Sequence, residues 1–318
     1  MLSRFAAAID AHRARGPLRV LELPGGPPPP QWWRGELGDV GAVLLLAAAG
    51  VAPADAVPGT HLVTQLGRHV AIGVLPAEAG AGTIAAVQGR CDKHAEAGPV
   101  ALLGSREERA RQLLDKVEVA LRGRPSLAVA RLSAERLRRY ELPGVLAQGP
   151  GLALYVGRGR RLGWAGYGGV EAWQLDLPGA KPLGAVLSLT CQASARSGPS
   201  PSFSEELVVR GRAAAALGAI EQTLHSHNRS LAIAIADRLA GGAATLADLL
   251  PAGHPALAGY RICGDPLAPL VGAGDHETGI PKWAQPSPSA RGSTGCLRPA
   301  HSQYPRRRSR ASSQTTSG

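Results

Sequence analysis

From residue 99 onward the chain alternates short apolar runs with stretches whose apolar positions recur at helical spacing. Residues 100–103, 127–132, 152–156, 185–189, 213–220 and 260–263 predict strands. Ser105-Arg-Glu-Glu108 reads as a capping box, and the helix after it puts Leu113, Leu114, Val117 and Leu121 on one face. Gly123 and Pro125 end that helix. Residues 134–140 predict a short helix. Ser202 and Glu205 form a second capping box, opening a helix through about Arg212. Asn228 caps a helix through Leu239, closed by Gly241 and Gly242. Residues 245–250 add a helical turn or two. The strand segments are apolar throughout rather than alternating, as strands covered on both faces are. Strands and helices in alternation predict an α/β fold with a mostly parallel sheet between helical layers.

The first 98 residues predict a small α+β region. Residues 1–15 can form an amphipathic helix, and residues 25–30 are a Pro/Gly break. Residues 40–51 are an Ala/Leu-rich buried segment, and residues 61–64, 69–75 and 83–88 predict short strands. At the other end, residues 275–318 are rich in Ser, Pro and Arg and predict a disordered tail. The α/β domain is therefore bounded at 99–274.

Composition changes this picture in one respect. The net charge is +11, which first suggests a nucleic-acid surface. Yet 31 of the 35 basic residues are Arg and only four are Lys, in a chain rich in Ala, Gly and Pro. That mix follows from a GC-rich coding sequence. The predicted tail alone supplies +5. No nucleic-acid partner is expected. The cysteines Cys91, Cys191, Cys263 and Cys296 are too dispersed for a disulfide framework. No secretory leader and no span long enough to cross a membrane is read, so a cytoplasmic protein is expected.

In open parallel sheets, ligands gather beyond the carboxyl ends of the strands. Two such ends carry chemistry: Gly157-Arg158-Gly159 after residues 152–156, and Thr190-Cys191-Gln192 after residues 185–189. Leu154-Tyr-Val-Gly-Arg158-Gly, continuing to Gly163-Trp164-Ala-Gly-Tyr167, resembles the Tyr-x-Gly-His-Gly segment of gingipain-type, caspase-like cysteine peptidases. Leu187-Ser-Leu-Thr-Cys191 is similar to their strand ending in the catalytic Cys. Gly264-Asp265-Pro266-Leu267 is similar to the Gly-Asp-Pro that closes such domains. The resemblance covers about residues 99–270. It implies a three-layer caspase-like fold and a peptide or protein substrate or partner; no cofactor and no metal are expected. It further implies Cys191 as nucleophile, with the Gly159 and Cys191 amides as an oxyanion site.

One departure outweighs the match. Where the family has its general-base His, this chain has Arg158. An imidazole accepts the thiol proton and returns it to the leaving amine. A guanidinium stays protonated and has no acceptor. The resemblance therefore predicts a catalytically impaired homologue in which Cys191 remains a nucleophile, favoured as thiolate by a nearby cation. Two alternatives stand beside it. One is an active endopeptidase with His225 or His227 as base; the other is a non-enzymatic interaction module. His225-x-His227 and Cys91-Asp-Lys-His94 carry metal-ligand types but too few for a site. Cys263 reads as core, Asp265 as a turn residue, and Trp164 and Tyr167 as packing or rim residues.

Overall fold

The computed structural model describes residues 40–46, 59–76, 78–79, 83, 89, 99–124, 127–196 and 200–270. In chain order the elements begin with β1 (Ala42–Leu46), β2 (His61–Val63), β3 (His69–Leu75) and β4 (Val100–Gly104). Then come α1 (Glu108–Leu121), β5 (Val129–Ser133), α2 (Leu142–Leu146) and β6 (Leu152–Val156). Three two-residue strands follow: β7 (Gly159–Arg160), β8 (Gly163–Trp164) and β9 (Val170–Glu171). The last part holds β10 (Leu183–Leu189), α3 (Phe203–Val209), β11 (Ala213–Ala219), α4 (His225–Ala240), α5 (Leu246–Leu249) and β12 (Tyr260–Gly264).

Among the described residues nine strands make one sheet, ordered β1-β3-β12-β11-β10-β6-β4-β5, with β2 also paired to β3. All pairings are parallel except β11 with β12 and β2 with β3. The strands of residues 42–75 thus extend the same sheet as those of residues 100–264. The expected mostly parallel α/β architecture is present.

Every residue of β4, β6, β10, β11 and β12 is buried. Alternate side chains feed two separate cores. Leu102, Leu154, Leu187 and Leu217 pack with Leu114 of α1 and Leu231 and Ile235 of α4. Leu103, Tyr155, Val186 and Ala216 pack with Leu142 of α2 and Phe203 and Leu207 of α3. Each buried Leu is worth about 1.5–3 kcal/mol of transfer free energy, and the two layers follow from having both strand faces apolar. The Ala-rich stretch of β11 is strand although Ala favours helix, because its central position between two covering layers takes small side chains on either face.

Four local expectations are corrected. Ser105 does not cap α1: Glu107 holds the N-cap position, and neither residue makes a side-chain cap bond. The Ser105 amide donates to Val156 O (3.1 Å), which keeps it in the sheet and delays the helix. Residues 134–140 form turns, and the helix lies at Leu142–Leu146, with Pro143 in its first turn. Asn228 is not a cap: α4 starts at His225, and Asn228 is buried within it. Thr83 is helical rather than strand, with its hydroxyl donating to Val208 O (2.7 Å). The expectations for residues 1–15, 25–30, 84–88, 275–318 and for Pro125 fall outside the described residues. The Ser202 box is present as read, and so is the Gly241-Gly242 stop of α4. Among the described residues no helix is long and apolar enough to cross a membrane.

Candidate active site

β6 and β10 are parallel neighbours with Val156 opposite Leu189. Their carboxyl ends therefore release Gly157–Gly159 and Thr190–Cys191 side by side. The approach is close enough to require glycine. A Cβ on Gly159 would stand 2.4 Å from Thr190 Cγ2 and Oγ1 and 3.0 Å from Cys191 O. At Gly157, with φ +156, a Cβ would meet Tyr155 Oη and Ser105 below 3 Å.

The Arg158 backbone is held from beneath. Its carbonyl accepts from Tyr155 Oη (2.8 Å) and Ala165 N (2.9 Å), and Gly166 N donates to Tyr155 Oη (3.0 Å). Burial pushes the Tyr155 phenol well above its ordinary range, so it stays a donor. The Tyr155 ring stacks on Trp164 with centroids 4.7 Å apart. Trp164 in turn meets Phe203 edge-on at 5.2 Å and donates from Nε1 to Ser188 Oγ (2.9 Å). Trp164 and Tyr167 are thus packing residues that brace the loop. The Tyr167 hydroxyl accepts from Gly104 N and donates to Leu132 O.

The Arg158 side chain turns outward. It is 80% exposed, and its Nε lies 2.6 Å from Glu107 Oε1, on the loop after β4. The expected cation at the thiol is thus engaged by a carboxylate.

Cys191 is half-buried and free. Its Sγ lies 3.7 Å from Thr223 Oγ1 and 3.9 Å from Thr223 O. The next residue, Gln192, has φ +60, a left-handed conformation costly for a side-chain-bearing residue. Gln192 N donates to Glu221 O (3.1 Å) and Ser194 N to Ala219 O (2.8 Å), which fasten this turn to the end of β11. Behind it, Arg196 Nε sits 3.0 Å from both oxygens of the fully buried Glu205, the same residue that completes the Ser202 capping box.

Among the described residues the two backbone amides beside the thiol meet no backbone acceptor outside the strand ladders. Ala165 N binds Arg158 O, so Gly159 and Trp164 form the non-hydrogen-bonded kind of antiparallel pair, and the Gly159 N–H takes no part in that ladder. Among the described residues the Cys191 N–H meets no acceptor.

His225 and His227 are exposed on the first turn of α4. The pKa of His254 is lowered by burial and then by the charge of His227. Among the described residues the thiol's hydrogen-bond neighbour is Thr223, not an imidazole. Cys263 is core, its thiol pushed up to about 12 by burial. Asp265 holds a turn, accepting from Leu267 N (2.8 Å). Among the described residues no cluster of His, Cys, Asp and Glu could hold a metal ion. Cys91 and His94 lie outside those residues.

Sequence reading gave no role at this site to Glu107, Tyr155, Gln192 or Thr223. Thr223 had a usable signal: it follows the carboxyl end of β11, the strand beside β10.

No protein-family model and no curated protein matches the chain. Solved structures do. The Arg-specific cysteine proteinase gingipain R superposes with a TM-score of 0.57 at 13% identity, covering 76% of this chain and 67% of that one. The complex of the pro- and mature domains of RgpB from Porphyromonas gingivalis gives 0.56 at 15% identity, covering 76% and 68%. The chain therefore has the caspase-like fold of the gingipain cysteine proteinases. At such identity the likeness concerns the fold.

Proposed function

We propose that this protein is a caspase-like cysteine peptidase homologue that has lost its general base and keeps Cys191 as a nucleophile toward a peptide or protein partner. The observation that carries this reading is the juxtaposition of Gly159 and Cys191 at adjacent strand ends, with Arg158 facing solvent between the glycines. Attack would join Sγ to a peptide carbonyl carbon and move the carbonyl pair onto oxygen. On this reading the Gly159 and Cys191 amides would receive that oxyanion. Collapse to an acyl-enzyme must expel an amine together with a proton, and Arg158 cannot cycle one. The protein would then bind and reversibly engage a peptide rather than turn it over. We place it in the cytoplasm, in keeping with the free Cys191 and Cys263.

A peptide chloromethyl ketone tests this reading. Alkylation by this reagent expels chloride and needs no protonated amine leaving group. Intact-mass and peptide mapping should show one equivalent on Cys191. Absence of label there, with the reagent varied in sequence, would remove the nucleophile from the account.

A further inference from the structure

Resting on the reading of Cys191 as nucleophile, we propose that Thr223 is a positioning residue. Held by Asn228 and Tyr260, it donates a hydrogen bond to the Cys191 sulfur in its anionic form.

The string has a direction. Tyr260 Oη donates to Asn228 Oδ1 (2.7 Å), and burial, the largest influence, pushes that phenol well above its ordinary range, so it keeps its proton. With Oδ1 committed, the amide group of Asn228 points the other way, and Nδ2 donates to Thr223 Oγ1 (2.9 Å). One lone pair of the Thr223 hydroxyl is thereby occupied, and its own hydrogen is left to place. An acceptor lies within reach of it: Cys191 Sγ at 3.7 Å.

Thr223 offers the sulfur two contacts, one suited to each protonation state. A neutral thiol donates to the Thr223 carbonyl at 3.9 Å. Once the thiol loses its proton, sulfur becomes the strongest acceptor in the group, and the Thr223 hydroxyl turns to it. The anchors are firm. Tyr260 is fully buried at the start of β12, opposite Ala219 of β11, and Asn228 is 7% exposed within α4. Thr223 itself is half-buried and lies at the edge where Cys191 emerges. The string supplies orientation and a donor, and no imidazole-like base, which is the half of the chemistry that remains when position 158 is Arg.

The test is the pH dependence of Cys191 alkylation by iodoacetamide on the full chain, resolved peptide by peptide, with buried Cys263 as the slow reference. Thr223→Val removes the hydroxyl at nearly constant shape. It should slow Cys191 roughly tenfold near neutral pH and move the pH–rate curve upward. Thr223→Ser should restore the rate to within about twofold of wild type, as a packing role would not require. Tyr260→Phe should fall between, and the double variant should be no slower than Thr223→Val alone. If Thr223→Val fails to fold, Tyr260→Phe carries the comparison, since it cuts the string at its far end. Wild-type curves in both Thr223→Val and Tyr260→Phe would overturn the proposal, as would a failure of Ser to rescue. Failure of a peptide chloromethyl ketone to label Cys191, with the Thr223 effect intact, would instead remove the peptidase-derived reading and leave the positioning role standing.

Discussion

Arg158 Nε and Glu107 Oε1 lie 2.6 Å apart, joining the turn between β6 and β7 to the loop that precedes α1. Arg158, between the two glycines, thus has a partner of its own. Both side chains face water, at 80% and 45% exposure. Glu107→Gln should therefore change stability by less than about 1 kcal/mol in denaturant unfolding, and the effect should shrink with added salt. A loss of several kcal/mol would mean that Arg158 serves mainly as a structural clamp.

Gly159 makes the opposite prediction. A methyl there has no room against Thr190 and the Cys191 carbonyl. Gly159→Ala should cost about 1–3 kcal/mol and slow Cys191 labelling, because the two strand ends must part. Gly144 in α2 has nothing within 4 Å of the same atom, so Gly144→Ala should be neutral or stabilise by up to about 1 kcal/mol. Equal effects at the two sites would remove the close approach from the account.

His61 links pH to stability. Burial, then the charges of His69 and Arg238, lower its pKa from 6.5 to about 4, and Thr60 Oγ1 lies 2.9 Å from its Nδ1. The unfolded chain takes up a proton near pH 6.5, and the folded chain resists until about pH 4. Between these values the unfolded state binds more protons, so stability falls as pH falls through that window. Below it this group contributes no further change. Chemical denaturation of His61→Gln across the window should give a flatter curve than wild type. Identical curves would contradict the assignment.

How far the sequence could be read depended on the range of the interactions involved. The strand segments were legible because uninterrupted apolar runs such as residues 152–156 are what a doubly covered strand requires. The Ser202–Glu205 box was legible because both partners lie within one turn. Ser105 misled because the same local pattern lost to a sheet bond from its amide to Val156 O, a partner about fifty residues away in sequence. Cys191 and the Gly-Arg-Gly turn were visible as strand ends, and the parallel pairing of β6 with β10 brings them together. Thr223, Asn228 and Tyr260 were not visible as a group. Their contact depends on β12 running antiparallel to β11, which no local signal in residues 260–263 reveals.

The proposed function holds that this caspase-like fold keeps a nucleophile in Cys191 and lacks a proton carrier at position 158. Cleavage of a mixed peptide library, followed by mass spectrometry, tests it most directly in wild type, Cys191→Ala, Arg158→His and the double variant. Wild type should show no Cys191-dependent cleavage. Arg158→His should bring cleavage about 10²–10⁴ above any residual wild-type rate, and Cys191→Ala in that background should abolish it. Wild-type cleavage that disappears in Cys191→Ala, with no gain from Arg158→His, would contradict the account.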